Sequence, residues 1–178
     1  MKRHSLPLSK VYQLLEPGPV TMVTSSYEGK TNVMTMTWQM MIDFEPPIFA
    51  CVISDQNYSF NLIKKSKQCV INIPTEELAQ KVVKVGNSSG RRINKFAKFH
   101  LAQEKASQVC APLLSECYAS LECKVIDMRM AKKYNIFIFE VVKAWIRSSK
   151  KTPRMLHHCG NGVFVIDGNR IALPSKKK

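Results

Sequence analysis

Short runs of β-branched, aromatic and thioether side chains alternate with polar turn residues along most of this chain. The first two runs, Val20–Ser25 and Thr31–Trp38, flank the segment Tyr27–Lys30, where Gly29 can adopt a positive φ. This pattern predicts a β-hairpin. Side chains on its second strand alternate between two faces, Asn32, Met34, Met36 and Trp38 on one and Val33, Thr35 and Thr37 on the other.

A continuous apolar run, Ile48–Ile53, follows Pro46 and Pro47, which cannot donate backbone hydrogen bonds and so interrupt any strand ladder. The run predicts a strand covered on both faces. It leads into Ser54–Ser59, a segment rich in N-cap residues that predicts a helix from about Tyr58. A helix start after a buried strand presents free N–H groups and a positive dipole end, which favour phosphate binding.

Strand patterns dominate the rest of the chain, and helices enter as insertions. The predicted elements are a strand at Gln68–Ile73, a helix at Glu76–Val85, a helical turn at Ile93–Phe99, long strands at Tyr118–Arg129 and Asn135–Ile146, and a final hairpin pairing Gly162–Ile166 with Arg170–Leu173 across Asp167–Asn169. The order predicts a mainly β protein with helical insertions, built as a closed or nearly closed antiparallel barrel whose ends are covered by helices.

Five stretches in this order resemble the flavin reductase-like family, the FMN-binding split barrels, and most closely its flavoredoxin-type members. Besides the first hairpin they are CVINIP (69–74), GNSSGRRINKF (86–96), YNIFIFEVVKAWI (134–146) and LHHCGNGVFVIDG (156–168). The likeness runs from about Leu14 to Gly168. It implies a single domain over residues 1–178, with a core at about 14–168 and a basic tail at 174–178. It also implies a six-stranded antiparallel Greek-key split barrel.

The resemblance implies a site for non-covalent FMN. In the family the second hairpin strand runs beside the isoalloxazine ring, and a Ser or Thr at the position of Ser59 meets the phosphate. A basic residue of the SGRxxxK loop does the same. Arg91 and Lys95 are the basic residues we expect there, because a phosphate favours both a fork and a point charge; we expect Arg92 to be exposed. The predicted FMN contacts are Asn32, Val33, Met34, Thr35, Thr37, Trp38, Ser54, Asn57, Ser59, Gly90, Arg91, Lys95, Tyr134 and Phe164.

Ordinary structural roles compete with this assignment at several positions. Core packing would equally explain Met34, Met36 and Trp38, and N-capping would explain the polar residues from Ser54 to Ser59. Tyr134 stands where many flavin reductases have a histidine, and a tyrosine does not titrate near neutral pH. We therefore assign no catalytic residue from the sequence.

No metal site is predicted. His157, His158 and Cys159 are consecutive. Adjacent side chains on an extended chain point in opposite directions, and no distant CxxC or HxxxH pair completes a zinc site.

The composition is typical of a globular domain, with 45% hydrophobic and 22% charged residues among 178. No apolar stretch is long enough for a membrane span, and the basic N-terminal residues lead into no apolar signal segment. The six cysteines include no CxxC pair. These features predict a reduced, cytoplasmic protein without a disulfide framework.

The net charge of +14 is large for this length. It can serve solubility alone, or draw anionic cofactors, NAD(P)H or an acidic redox protein such as ferredoxin. Nucleic acid is disfavoured, because the basic residues are dispersed and no nucleic-acid-binding motif is present. The sequence thus predicts a homodimeric FMN oxidoreductase. A flavoredoxin-like electron carrier is the first alternative, and a non-enzymatic module that binds anions or nucleic acid is a remote one.

Overall fold

The computed structural model describes residues 3–11, 18–148 and 152–174. The strands are β1 (Arg3–Leu6), β2 (Thr21–Tyr27), β3 (Lys30–Met36), β4 (Gln39–Phe44), β5 (Pro47–Val52), β6 (Gln68–Ile73), β7 (Gln103–Glu104), β8 (Leu113–Leu114), β9 (Ala119–Asp127), β10 (Ile136–Arg147), β11 (Leu156–His158) and β12 (Phe164–Ile166). The α-helices are α1 (Tyr58–Ser66), α2 (Ala79–Gly86), α3 (Lys95–Lys98) and α4 (Ala131–Tyr134), with 3-10 turns at Leu8–Lys10 and Glu76–Leu78. Within these ranges no helix has the length and apolar content needed to cross a bilayer. The basic residues Lys150, Lys151 and Lys176–Lys178 lie outside the described residues.

The main sheet rolls into a barrel. Its strands follow the order β3-β2-β6-β9-β10-β5-β4, and the neighbouring pairs are antiparallel. β3 and β4 are the two edges of this order, yet only Thr37 and Trp38 separate them in the chain. Three residue steps span at most about 11 Å, so the edges must come together. With β3 and β4 counted as one bent strand the barrel has six strands, and the predicted fold class is confirmed.

Two hydrophobic clusters lie on opposite faces of β3. Inside the barrel, Phe49 stacks on Phe139 with ring centroids 5.4 Å apart, and Met34 and Met36 pack in the same cluster. Outside it, Val33 packs with buried side chains of α2 and α3, among them Val82, Val85 and Phe96. The outer face of β3 is therefore covered by α2, and this arrangement defines one wall of the site described below.

Several local patterns gave the correct element. The first hairpin turns at Glu28 and Gly29, both with positive φ (48° and 74°), as a two-residue hairpin turn requires. The strand predicted at Gln68–Ile73 has those bounds. Cys51, Cys69 and Cys123 are buried among the apolar side chains of the barrel, where a thiol packs as a small hydrophobe.

The predicted final hairpin is wrong. β12 pairs with β11, and residues 170–173 form no strand. The chain reverses at Gly160, Asn161 and Gly162, all with positive φ. The carboxylate of Asp167 then accepts a hydrogen bond from the backbone N–H of Met155 and lies 2.8 Å from His157 Nε2, which fixes the chain immediately after β12.

The strand after Pro46 and Pro47 also differs from expectation. Its inward side chains, including Phe49 and Cys51, are buried, whereas Ile48, Ala50 and Val52 on its outer face are only half-buried. An apolar run is compatible with one or two covered faces, and only tertiary packing decides between them. The outer face of β5 instead joins an exposed apolar surface with β4.

Candidate functional site

A cleft of about 510 Å³ opens on the outer side of β3, between α2 and the β11–β12 hairpin. Its lining residues are Thr35, Met36, Thr37, Val82, Val83, Gly86, Asn87, His158, Asn161, Gly162 and Phe164. We call it the threonine cleft. Small-molecule and cofactor sites typically occupy about 300–1,000 Å³, so this cleft is large enough for a cofactor ring.

Close contacts fix the walls of the threonine cleft. Thr35 Oγ1 donates a 2.6 Å hydrogen bond to the carbonyl of Val82 in α2. A Cβ at Gly86 would lie 3.5 Å from the Thr35 side chain, so α2 and β3 are in van der Waals contact at this point. On the opposite wall the Phe164 and His158 rings pack with centroids 5.0 Å apart. One wall is therefore rigid and helical, and the other is a hairpin.

A second cleft, of about 490 Å³, adjoins the first through Gly86 and Asn87. Its other lining residues are Ser88, Ser89, Arg92, Ile93 and Lys98. We call it the basic cleft, because its two charged side chains are cationic and its lining contains no carboxylate. Two clefts that meet at shared residues form one elongated groove, with an uncharged part and a cationic part.

Buried polar side chains join β2, β3 and the start of α1. Asn32 Nδ2 donates to Ser59 Oγ at 2.9 Å, and the Ser25 and Ser59 hydroxyls lie 3.1 Å apart. We call Ser25, Asn32 and Ser59 the polar cluster. A Cβ at Gly90 would lie 2.1 Å from Asn32 Oδ1 and 3.0 Å from the Tyr58 ring. Only glycine allows the 87–92 loop to lie this close, so the structure brings Asn32, Ser59 and Gly90 together.

Lys95 is a buried cation in α3, with 4% of its surface exposed. Its Nζ donates a 2.8 Å hydrogen bond to the carbonyl of Val85, near the end of α2. Desolvation lowers the pKa of Lys95 to about 8. None of the ion pairs within the described residues involves this ammonium, which has three hydrogen-bond donors. A buried cation without a carboxylate partner is suited to an anionic ligand.

The predicted residues divide into those at these features and those away from them. Thr35, Thr37 and Phe164 line the threonine cleft. Val33 and Met34 are buried in the two hydrophobic clusters, so ordinary packing accounts for their side chains. Contacts between a ligand and β3 would therefore involve backbone groups and the threonines.

The N-cap residues are less directly involved. Ser54 Oγ accepts a hydrogen bond from the Gln56 N–H at 3.2 Å, which is a local turn contact. Asn57 is the N-cap residue of α1 but makes no capping bond with its side chain. Neither residue lines the threonine or basic cleft. Of this predicted group, Ser59 alone joins the polar cluster.

The two predicted aromatic contacts from outside the clefts are exposed. Trp38 is 70% exposed, and its predicted position on the same strand face as Asn32 is wrong. β3 ends at Met36, and the chain bends at Thr37 and Trp38 into β4, so the alternation of side chains stops before Trp38. Tyr134 is 54% exposed at the end of α4, with Lys133 Nζ 5.0 Å from its ring centroid.

Sequence reasoning missed several residues of the clefts. Arg91 and Arg92 are both exposed, but Arg92 lines the basic cleft together with Lys98, and Arg91 lines neither cleft. His158 and Asn161 line the threonine cleft because the chain reverses at 160–162. The triplet Gly160-Asn161-Gly162 was the available signal for that turn. No sequence signal distinguished the two adjacent arginines.

The three residues considered for zinc have separate surroundings. His157 pairs with Asp167, whereas the His158 ring packs against Phe164. Across the described part of the chain, no group of three or more His, Cys, Asp or Glu side chains is placed to hold a metal ion.

An exposed apolar surface lies on β4, β5 and β10. It surrounds a groove of about 440 Å³, and its apolar members are Trp38, Met40, Ile42, Ala50, Val52, Met130, Ile136 and Ile138. We call these residues the apolar face. Met40 is 63% and Ile42 is 49% exposed. Apolar patches of this kind on a highly charged protein mark interaction surfaces.

Comparison with known proteins gives consistent matches. Residues 14–164 match the family described as flavin reductase like domain. The chain is 33% identical to an uncharacterised protein of Archaeoglobus fulgidus over 75% of this chain and 77% of the relative. It is 30% identical to Escherichia coli YddH, also uncharacterised, over 93% and 95% of the two chains.

Solved structures give the same result for the fold. An FMN-binding domain of a flavin reductases-like enzyme from Shewanella baltica superimposes with a TM-score of 0.90, at 27% identity over 97% of this chain and 98% of that one. Flavoredoxin of Desulfovibrio vulgaris has a TM-score of 0.79 at 20% identity, over 90% and 92% of the two chains. The resemblance inferred from the sequence is confirmed.

Proposed function

Because this chain belongs to the family of flavin reductase-like domains, we propose that it is an oxidoreductase that transfers electrons through non-covalently bound FMN. The observation that carries the proposal is the threonine cleft beside β3, in a chain that also buries the unpaired cation Lys95. The cleft offers an aromatic side chain and backbone polar groups for a ring, and the cation offers a partner for a phosphate.

The residues present fit FMN chemically. The ring would occupy the threonine cleft, with Thr35, Thr37 and the backbone of β3 on one side and Phe164 on the other. Lys95 and Arg91 would neutralise the phosphate, with Ser59, Asn32 and Gly90 beside it. Ser54 and Asn57 would contribute at the start of α1. Trp38 and Tyr134 remain proposed ring contacts from the exposed side.

The chain supplies position and electrostatics for this chemistry. FMN, when bound, supplies the capacity to accept and release electrons. The cations bind its phosphate, Thr35 and the α2 wall fix the orientation of its ring, and Phe164 and His158 exclude water from one side. His158 is exposed and lines the cleft, so it is also placed to contact a second substrate.

We propose that a second copy of this chain covers the apolar face. Met40 and Ile42 on β4 lie beside half-buried Ala50 and Val52 on β5, giving a surface shared by adjacent strands. Two chains of charge +14 repel each other, so any association must rest on apolar burial at a surface of low charge. The apolar members of this face meet that requirement. Homodimerisation would bury Trp38 together with its neighbours.

The electron donor and acceptor divide the proposal into two versions. A flavin reductase would oxidise NAD(P)H, and an electron carrier would exchange electrons with an acidic protein such as ferredoxin. The specific observation that favours a carrier is the net charge of +14. We assign either version to the cytoplasm, because six cysteines without a CxxC pair fit a reducing compartment.

Anaerobic reduction of the FMN-loaded protein tests the function. NADH, NADPH and a reduced ferredoxin are each mixed with the holoprotein, and bleaching of the flavin absorption is followed. Bleaching by a nucleotide supports the reductase, and bleaching by ferredoxin alone supports the carrier. A protein that stays colourless after incubation with FMN is a binding module for another ligand, and the proposal fails.

A further inference from the structure

The basic cleft is not used by the FMN site proposed above. Its charged lining residues are Arg92 and Lys98, and Ser88 and Ser89 add hydroxyl groups. The loop that forms it is held by local bonds, including Arg92 N–H to the Ser89 carbonyl at 3.0 Å and Ala97 N–H to Asn94 Oδ1 at 3.2 Å. The cleft is therefore a formed feature of the fold with a cationic lining.

Its position relates it to the electron-transfer site. The basic cleft and the threonine cleft share Gly86 and Asn87, so the two spaces are continuous. A ligand with one end in the threonine cleft could extend its other end towards Arg92 and Lys98. Such a ligand would have a ring at one end and phosphates at the other, as a dinucleotide has.

We propose that the basic cleft binds the phosphate groups of a reduced nicotinamide dinucleotide, with preference for the 2′-phosphorylated form, NADPH. This inference rests on the proposed function. Arg92 provides a bidentate fork and Lys98 a point charge, the combination that recognises phosphate. Sites for the unphosphorylated ribose commonly use a carboxylate on the 2′-hydroxyl, and Arg accommodates the 2′-phosphate. The lining of this cleft contains Arg92 and no carboxylate.

The redox balance of the proposed step is simple. NADPH would lose a hydride and become NADP⁺, and the flavin would gain that hydride together with one proton from water. The basic cleft takes no part in bond making. It holds the phosphate end of the nucleotide, so its contribution belongs to binding, and it should act on KM more than on kcat.

The test uses single variants of the holoprotein that remove one positive charge each. Arg92→Gln and Lys98→Gln alter the cleft. Lys84→Gln is the matched control, since Lys84 is exposed on α2 and lines neither cleft. We expect the two cleft variants to raise KM for NADPH about tenfold or more, as for loss of a charged hydrogen bond. The control should leave it nearly unchanged, as should all three variants for kcat.

Calorimetry adds a readout that does not depend on turnover. NADP⁺ and NAD⁺ are titrated into the oxidised wild-type protein and the three variants. We expect NADP⁺ to bind more tightly than NAD⁺, and Arg92→Gln to remove most of that difference. Absence of NADP⁺ binding to the wild type, or equal effects of Arg92→Gln and Lys84→Gln, overturns the inference while leaving FMN binding intact.

FMN itself is the competing source of phosphate. Each variant is therefore titrated with FMN and with riboflavin, which lacks the phosphate. The inference predicts that Arg92→Gln and Lys98→Gln leave both affinities unchanged. If FMN weakens while riboflavin does not, the basic cleft holds the FMN phosphate and the dinucleotide assignment is wrong. If the wild type binds neither flavin, the proposed function itself fails.

Discussion

Asn32 and Ser59 are joined by a buried 2.9 Å hydrogen bond in which the Asn32 amide donates to the Ser59 hydroxyl. The bond links β3 to the first turn of α1, and the Gly90 backbone lies against the other end of the same amide. Three segments that are distant in the sequence therefore meet at one side chain. A change at this point should disturb both the packing and the proposed FMN site.

Gly90→Ala tests that contact. The new Cβ would lie 2.1 Å from Asn32 Oδ1, and Asn32 is held by Ser59, so the loop must move. We expect a loss of about 1–3 kcal/mol in the free energy of unfolding and weaker FMN binding. Thermal unfolding and FMN titration measure the two effects. Gly168→Ala is the control, because a Cβ there meets nothing within 4 Å. Equal stability of the two variants would contradict the contact.

Lys95 gives the FMN site an expected pH dependence. Burial lowers its pKa to about 8, so the free protein loses this charge as the pH rises above 8. FMN favours the charged form, and above pH 8 its binding must take up a proton. We therefore expect FMN affinity to fall by up to about tenfold per pH unit there. Titrations between pH 7 and 10 measure it.

The same pKa shift affects stability in the opposite sense. A lysine pKa lowered on folding means that the unfolded chain binds the proton more tightly between about pH 8 and 10.5. The destabilisation by buried charge is complete below pH 8 and is relieved as the pH rises through that range. Lys95→Met should stabilise the free protein at pH 7 and remove the pH dependence of FMN binding. A variant that is less stable at pH 7 would contradict an unpaired charge at Lys95.

Salt dependence tests whether the net charge of +14 has a partner. The Debye length falls from about 30 Å at 0.01 M to about 10 Å at 0.1 M salt. Reduction by an acidic carrier protein should slow markedly over this range, and the reaction with NADPH should slow less because the nucleotide carries fewer charges. Stopped-flow bleaching of the flavin measures both rates. Rates with acidic carriers that do not depend on salt would leave the basic surface as a solubility feature.

Met40→Lys tests the proposed contact between two copies of the chain. Placing a charge at the centre of the apolar face should convert a dimer into monomers, because the buried charge would be unpaired. Sedimentation velocity gives the oligomeric state. Val165→Lys is the control, since Val165 is 55% exposed on β12 and lies outside the apolar face. A wild-type chain that sediments as a monomer, or a Met40→Lys variant that stays dimeric, rejects this interface.

Local chemistry made part of this structure predictable. Gly29 and its flanking strands identify the first hairpin, and the β-branched run at Gln68–Ile73 identifies a strand. The bend at Trp38 was not predictable, because the alternating pattern continues past the end of β3 and only barrel closure requires the bend. The β11–β12 pairing was missed because two adjacent turn signals competed, one at Gly160 and one at Gly168.

The candidate site shows the same division. The resemblance to a family led to Asn32, Ser59, Gly90 and Lys95, and the structure buries Lys95 and places the other three in contact. It could not separate Arg91 from Arg92, because the direction of each side chain depends on how the 87–92 loop packs against β3. Roles that depend on tertiary direction were therefore the least predictable.

Titration of the purified protein with FMN and with riboflavin tests the central claim most directly. The account predicts one FMN per chain, bound much more tightly than riboflavin, with the preference for FMN greatly reduced in Lys95→Met because the phosphate loses its buried cation. The absorption and fluorescence of the flavin report binding without any assumption about the electron donor. A wild-type protein that is folded and binds neither flavin would contradict the account.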